Sequence, residues 1–175
     1  MSKSKGPDWK ALLKKHAQGI KIDLGGGGNP QPGFLNVDIR PLPQVDVVQD
    51  FEEFPWVIPN EVASLVMASH LVEHINPAKF TFMKFMDEVW RILKPGGQFM
   101  IAYPYAGSPG YFQDPTHVNP CNERTWAYFD PLEAGGYLYK IYKPKPWRIV
   151  YSTYNQFGNG ELVLEKRRED PSYLK

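Results

Sequence analysis

The sequence predicts an α/β domain built on a mostly parallel sheet with an antiparallel C-terminal edge. Three observations carry that expectation. Short apolar stretches of strand character recur through the first hundred residues, and the first runs straight into Gly25-Gly26-Gly27-Gly28. One long amphipathic helix lies among them, after Asn76-Pro77. Two more strand candidates follow residue 146, joined by a turn at Gly158-Asn159-Gly160. Strands mixed with a helix and finished by a hairpin give a sheet of this mixed kind.

Taken in order, residues 1–19 form an N-terminal helical extension, with the helix itself over 7–17. Pro7 suits a first turn, Asp8 favours the positive end of the helix, and Leu12 and Leu13 supply an apolar stripe. Ile20-Lys21-Ile22-Asp23-Leu24 alternates as a strand does, residues 34–39 form a second strand and residues 45–50 a third. The run Ser64-Leu65-Val66-Met67-Ala68-Ser69 has the character of a strand buried on both faces. Asn76 then serves as N-cap and Pro77 as first-turn residue of the long helix. Its apolar face is Phe82, Met86, Val89, Trp90 and Leu93, and Pro95-Gly96-Gly97 stops it. Residues 99–103 form a fifth strand. Residues 104–135 carry Pro, Gly, Asp and aromatics without a period, so they read as a structured loop or substrate lid. Trp147–Tyr154 and residues 161–166 are the closing strands.

Composition narrows the class. With 175 residues, 42% hydrophobic and 22% charged, the chain suits one domain with a real core, residues 1–175 together. No apolar run approaches the ~20 residues a membrane span needs. The first residues have no apolar segment of a secretory signal, which points to a cytoplasmic protein. A net charge of +1 argues against broad adhesion to nucleic acid, which depends on many phosphate contacts. Cys121 is the single cysteine, so an internal disulfide and a multi-cysteine zinc site are excluded.

The chemistry concentrates at strand ends. Glycines after a strand let a ligand approach the backbone, and an acidic residue ending the next strand, here Asp38, can accept from both hydroxyls of a ribose. Asp50, ending the third strand, either meets an adenine amino group or serves as a helix cap. The nicotinamide fingerprint does not fit: Pro30 stands after the glycines, and Asp38 comes sooner than the ~20 residues expected. A phosphate-binding P-loop does not fit either, because no Gly-Lys-Ser/Thr comes after the glycines.

Several motifs in order resemble the class I S-adenosylmethionine-dependent methyltransferases. Lys21-Ile22-Asp23-Leu24-Gly25-Gly26-Gly27 resembles the first motif and Asn36-Val37-Asp38 the ribose-binding second. Asp50-Phe51, with Phe54-Pro55-Trp56, resembles the adenine-side third. Residues 68–75 resemble the fourth-strand segment, and Arg91-Ile92-Leu93-Lys94-Pro95-Gly96-Gly97 is the most family-specific phrase. Asp114-Pro115-Thr116-His117 resembles a subgroup associated with surface-polysaccharide synthesis. The resemblance implies a Rossmann-like sheet and S-adenosylmethionine as cofactor. The cofactor site would comprise Asp23, Gly25, Gly26, Gly27, Gly28 and Asn29, with ribose on Asp38 and adenine near Asp50 and Phe51. Ser69 and His70 would border the sulfonium and its methyl group. His70 is the first candidate for a catalytic base and His117 the second, with no metal required. The acceptor implied is a small molecule or glycan, with a sugar or sugar-nucleotide favoured. A bulky acceptor or a second subunit, as in a homo-oligomer, would cover the open site.

One departure concerns the helix normally found after the first strand. Only residues 29–33 separate Gly28 from Phe34, too few for a helix, whereas parallel neighbours usually need a crossover of about a dozen residues. Either the strands are shorter than drawn or the crossover is an extended loop. The methionine carboxylate would then fall to the amides of Gly27, Gly28 and Asn29.

Two other function classes stay open on the residues. His70, Glu73 and His74 also match the inverted zinc-protease pattern, with His117 and Asp114 as further ligands; Asn76-Pro77 argues against the continuous helix that pattern needs. A catalytically inactive cofactor-binding scaffold is the other. Tyr103, Tyr105, Tyr111, Phe112, Trp126, Tyr128 and Phe129 offer either a stacking wall for an acceptor or ordinary core.

Overall fold

The computed structural model describes residues 6–155 and 158–175. Among these residues, seven strands form one sheet in the order β3-β2-β1-β4-β5-β7-β6. They are β1 (Ile20–Leu24), β2 (Leu35–Asp38), β3 (Val47–Val48), β4 (Ala63–Ser69), β5 (Leu93–Pro104), β6 (Trp147–Tyr154) and β7 (Asn159–Lys166). β1 through β5 pair in parallel, and β7 lies antiparallel between β5 and β6. The fold is therefore the expected Rossmann-like mixed sheet, with its antiparallel part at the C-terminal side.

The helical elements are few. α1 (Trp9–Lys15) is capped by Asp8, whose Oδ1 accepts from the amides of Lys10 and Ala11. Of the expected extension over residues 1–19, residues 1–5 lie outside the described residues. α2 (Thr81–Ile92) buries Phe82, Phe85, Met86, Val89 and Ile92. It starts later than the Asn76-Pro77 signal suggests. Asn76 Oδ1 does accept from the amide of Ala78 at 2.9 Å, but the turn it opens is a 3-10 turn, Ala78–Phe80. Lys79 and Phe80 then take positive φ, so the α-helix proper begins only at Thr81. At its other end, Pro95-Gly96-Gly97 does more than stop the helix: it lies inside β5, where the register with β4 shifts between Ala63 and Leu65. Segment 104–135 is not featureless. It holds α3 (Pro109–Phe112), α4 (Glu123–Ala127) and a 3-10 turn, Glu133–Gly136, and α5 (Tyr139–Tyr142) follows.

One face of the sheet carries the core. Val66, Ala68, Phe99, Ile101, Leu162 and Leu164 point there beside α2, under an aromatic cluster of Phe82, Phe85, Trp126, Phe129 and Trp147. Four of the seven aromatics of the proposed wall, Tyr103, Tyr111, Trp126 and Phe129, are buried. β4 is buried on one face rather than two: its burial alternates, and Leu65 and Met67 are only half-covered. Met100, Val150 and Tyr151 are exposed on the neighbouring strands.

A buried cation sits at the far end of β7. Lys166 Nζ donates to the carbonyl of Leu93 at 2.7 Å, lies 3.2 Å from Glu61 Oε1, and stands over the Trp90 ring at 4.0 Å. Burial holds its pKa below the ordinary lysine value, against the opposing pull of Glu61. Between that lowered value and 10.5 the unfolded chain binds more protons than the folded one, so stability rises with pH across the window. The difference in melting temperature between wild type and Lys166→Met is therefore expected to move in the wild type's favour as pH climbs from 7 into that window. A pH-independent difference would contradict it.

Candidate active site

The strand order reverses direction between β1 and β4, and ligands of open α/β sheets bind at the carboxyl ends of strands flanking such a point. The residues after β1, β2, β4 and β5 all fall on that edge. β7 runs the other way, so its start joins them: Asn159 pairs with Pro104 and Gly160 with Tyr103.

The β1–β2 connection contains no helix; residues 25–34 form turns. The strands are shorter than the sequence suggests, with β2 starting at Leu35, and the crossover is also an extended loop. Asp23 staples that loop, its Oδ2 accepting from the Gln31 amide at 2.8 Å. Asn36 does the same from β2, donating through Nδ2 to the carbonyl of Gly27 at 2.9 Å and of Gln44 at 2.8 Å. Burial pushes the Asp23 pKa up, only partly offset by the Gln31 amide, with the nearby Asp38 charge adding to the rise. Asp23 is thus 3% exposed, beneath the loop rather than on its open side.

The glycines are not equivalent. Gly25 and Gly27 have positive φ. A Cβ on Gly26 would come within 2.6 Å of Asn36 Oδ1 and 2.7 Å of Asp23 Oδ2, whereas one on Gly28 would meet nothing within 4 Å. The turn is therefore backed on one side by polar side chains and open on the other. Gly28 and Asn29 are exposed there.

Asp38 ends β2 and is 4% exposed. Its Oδ1 accepts from the amide of Arg40 at 2.8 Å and from its Nε at 3.1 Å. Burial pushes the carboxyl up, but Arg40 outweighs it and holds the pKa below the usual carboxylate range. The Arg40 side chain reaches across to Gly27. Asp50 lies beyond β3, and its Oδ1 accepts from the amide of Glu52 at 2.9 Å. Phe51 is buried, edge-on to Trp56 and Phe85.

On the other side of the reversal, Ser69 ends β4 exposed and His70 follows with φ +52°. Left-handed backbone is strained for a non-glycine residue and clusters at functional sites. The His70 amide donates to the carbonyl of Ala102 at 2.8 Å, which locks the position, and the side chain stays half-exposed. Gly25 and Leu71 pack together, so the glycine turn and the β4 tip are neighbours. The close contact with the Glu73 carboxylate, 3.2 Å from Nδ1, holds the His70 pKa above its ordinary value despite burial.

Val72–His74 is a 3-10 turn, which places Glu73 inside and His74 half-buried. No continuous helix carries His70 and His74, so the inverted zinc-protease pattern lacks its scaffold. The 104–135 segment closes onto this turn: the amides of Val118 and Asn119 both donate to the carbonyl of Glu73, and Asn119 Nδ2 donates to that of Val72. His117 arrives beside His74, with ring centroids 4.8 Å apart. A cavity of about 240 Å³ lies here, lined among others by His70, Gln113, Asp114, His117 and Asn159. No motif or periodicity in the sequence marks Gln113, Asn159 or Arg40 as site residues. The antiparallel direction of the last strand was the available signal for Asn159.

An adenosyl cofactor fits this edge by two tests: a glycine turn open on one side over Gly28, and a carboxylate at the next strand tip. Among the described residues, no helix is long and apolar enough to cross a membrane.

Residues 27–101 match the family described as "Methyltransferase domain". The fold is similar to that of a 16S rRNA (adenine(1408)-N(1))-methyltransferase from Catenulisporales acidiphilia, at 14% identity over 96% of both chains, TM-score 0.59. It is similar to a SAM-dependent methyltransferase from Archaeoglobus fulgidus, at 15% identity over 90% of this chain and 92% of that one, TM-score 0.58. It is also similar to the Burkholderia thailandensis 1,6-didemethyltoxoflavin-N1-methyltransferase, which holds its substrate and S-adenosylhomocysteine. There the identity is 16% over 91% of this chain and 77% of that one, TM-score 0.56. Among curated proteins nothing matches the chain.

Proposed function

We propose that the chain, whose residues 27–101 match a methyltransferase domain, is a class I, S-adenosylmethionine-dependent methyltransferase that methylates a hydroxyl or amine of a sugar, sugar-nucleotide or glycan, with His70 receiving the acceptor's proton. Bound S-adenosylmethionine supplies an electrophilic methyl carbon. The residues that would hold it are the turn 25–29, shaped from beneath by Asp23, then Asp38 for the ribose and the Asp50-Phe51 region for the adenine. Ser69 and His70 would border the reacting group. Their task is alignment and exclusion of water, which together supply most of the advantage in a displacement of this kind.

The observation that carries the proposal is His70 itself. It sits at the β4 tip in a conformation few residues adopt, half-exposed at a cavity whose other lining includes Gln113, Asp114 and Asn159. Polar groups of that kind suit a hydroxylated acceptor. The sugar class rests further on the resemblance of residues 114–117.

His70→Gly is the informative variant, because φ +52° is unstrained for glycine. With labelled cofactor and a panel of sugar, glycan and RNA acceptors, transfer to a sugar is expected. The variant's kcat should fall about 10²–10⁴-fold, the usual worth of a general base, with S-adenosylhomocysteine affinity unchanged. Unchanged turnover would remove His70 as the base, and transfer to RNA alone, steeply weakened by salt, would overturn the acceptor class.

A further inference from the structure

We infer that Glu73, His74 and His117 form a binding site for one divalent transition-metal ion of the zinc class. One ligand-capable atom from each of the three lies within 4.8 Å of the others. The site is assembled from two separate pieces of chain. The 3-10 turn after β4 supplies Glu73 and His74, and the segment fastened to that turn through Val118 and Asn119 supplies His117.

The carboxylate points to a cation first. Glu73 is 1% exposed, and neither of its oxygens accepts a hydrogen bond from any described group. A buried carboxylate in that state is costly unless a positive charge stands close by. Among the described residues, the groups paired with it are imidazoles: His70 Nδ1 at 3.2 Å and His117 Nε2 at 4.0 Å from Oε1.

The hydrogen bonds of the two histidines point the same way. His117 Nδ1 is 2.7 Å from the carbonyl oxygen of Tyr111, which can only accept, so Nδ1 carries the hydrogen and Nε2 is the nitrogen open to a ligand. The Thr116 hydroxyl donates to Asp114 Oδ1 at 2.7 Å and therefore presents its lone pairs to His74 Nδ1, 3.0 Å away. His74 Nδ1 must then donate as well, and its Nε2 is left free. Both rings are thus fixed in one tautomer by an outer acceptor. A ring N–H anchored on a carbonyl or a carboxylate-linked hydroxyl is the regular accompaniment of a metal-binding imidazole.

Donor chemistry selects the ion. Two imidazole nitrogens and one carboxylate suit Zn²⁺ and its neighbours, whereas Mg²⁺ and Ca²⁺ prefer oxygen alone. Bonds of about 2.0–2.1 Å require donor atoms about 3.4 Å apart. The observed spacings are wider, with His117 Nε2 4.0 Å from Glu73 Oε1, so a bound ion would have to draw the three donors together. Three protein donors leave a fourth position beside the cavity of about 240 Å³. A water or an acceptor oxygen could take it; this last step rests on the acceptor reading above, while the metal site does not.

The test uses the full chain, stripped with a chelator and titrated with Co²⁺ as a visible probe for Zn²⁺. One equivalent is expected to bind with the intense visible absorption of four- or five-coordinate cobalt and to be displaced by Zn²⁺. His117→Ala and His74→Ala should abolish the band. Thr116→Val, which removes only the outer partner of His74, should weaken binding about 10–100-fold. S-adenosylhomocysteine binding to the stripped protein, measured in parallel, tells a failed metal site from a failed cofactor reading. No band, or equal binding by wild type and both alanine variants, overturns the site. If His70 protonation alone neutralises Glu73, the absence of any band will show it.

Discussion

An Asp38→Ala variant is expected to bind S-adenosylhomocysteine about 10²–10⁴-fold more weakly than wild type. A ribose offers two hydroxyl donors, and each hydrogen bond to a charged acceptor is worth about 1.5–3 kcal/mol. Two of them give about 3–6 kcal/mol, at about 1.4 kcal/mol per decade of affinity. The carboxylate now engages Arg40, but that side chain is 62% exposed, and exposed ion pairs contribute at most about 1 kcal/mol. Exchanging Arg40 for ribose is therefore favourable, and Arg40→Ala should alter affinity less than about fivefold. Because the Asp38 pKa is lowered, the charge this needs is present at neutral pH. The pair's contribution to stability is lost only as pH falls through that lowered value. Thermal unfolding reads the effect. At ligand about 100 times the dissociation constant, the wild type gains about 2.7 kcal/mol, or about 5–11 °C for a chain of this size. The variant should gain at most about 0.4 kcal/mol at that concentration, a shift under about 2 °C; a full shift would remove Asp38 from the ribose site.

The second large effect separates two adjacent-looking glycines. Gly26→Ala drives a methyl group against Asn36 Oδ1 and Asp23 Oδ2, both of which hold the β1–β2 loop in place. A loss of about 1–3 kcal/mol of stability is expected from the crowding, together with loss of ligand-induced stabilisation. Gly28→Ala faces open space and has no positive φ, so stability should stay within about 0.5 kcal/mol. Its cost should appear in S-adenosylhomocysteine affinity alone. Equal melting temperatures for the two variants would refute the packing argument.

Much of this edge is legible in the residues alone. Alternation places β1 and β2, and the glycines and Asp38 announce their ends. What periodicity does not convey is long-range closure. His117 stands 43 positions after His74, and turn-to-loop hydrogen bonds, among them those through Glu73, Val118 and Asn119, bring the two rings together. Local signals also mislead where two conformations share one vocabulary. Asn76-Pro77 reads equally as a helix cap and as the start of a 3-10 turn, and nothing in Lys79 or Phe80 marks a positive φ. Pro95-Gly96-Gly97 reads as a helix stop, yet α2 ends earlier, at Ile92, and the three residues lie inside β5 where its register with β4 shifts. The aromatics of residues 103–129 satisfy a core and a binding wall alike, and burial alone separates Trp126 at 0% exposed from Phe112 at 73%.

The place of β7 has a consequence for how the chain reaches this state. It lies between β5 and β6, yet it is synthesised after both. During synthesis β5 therefore emerges with its outer edge bare, and β6 emerges with no strand to pair against. The sheet completes only when β7, paired with β6 as an antiparallel hairpin, docks on β5. Such late, distant pairings slow folding and prolong the exposure of unpaired edges. The same event carries Asn159 to the tip of β5, so the nascent chain acquires its final sheet order and its finished cavity rim in a single step.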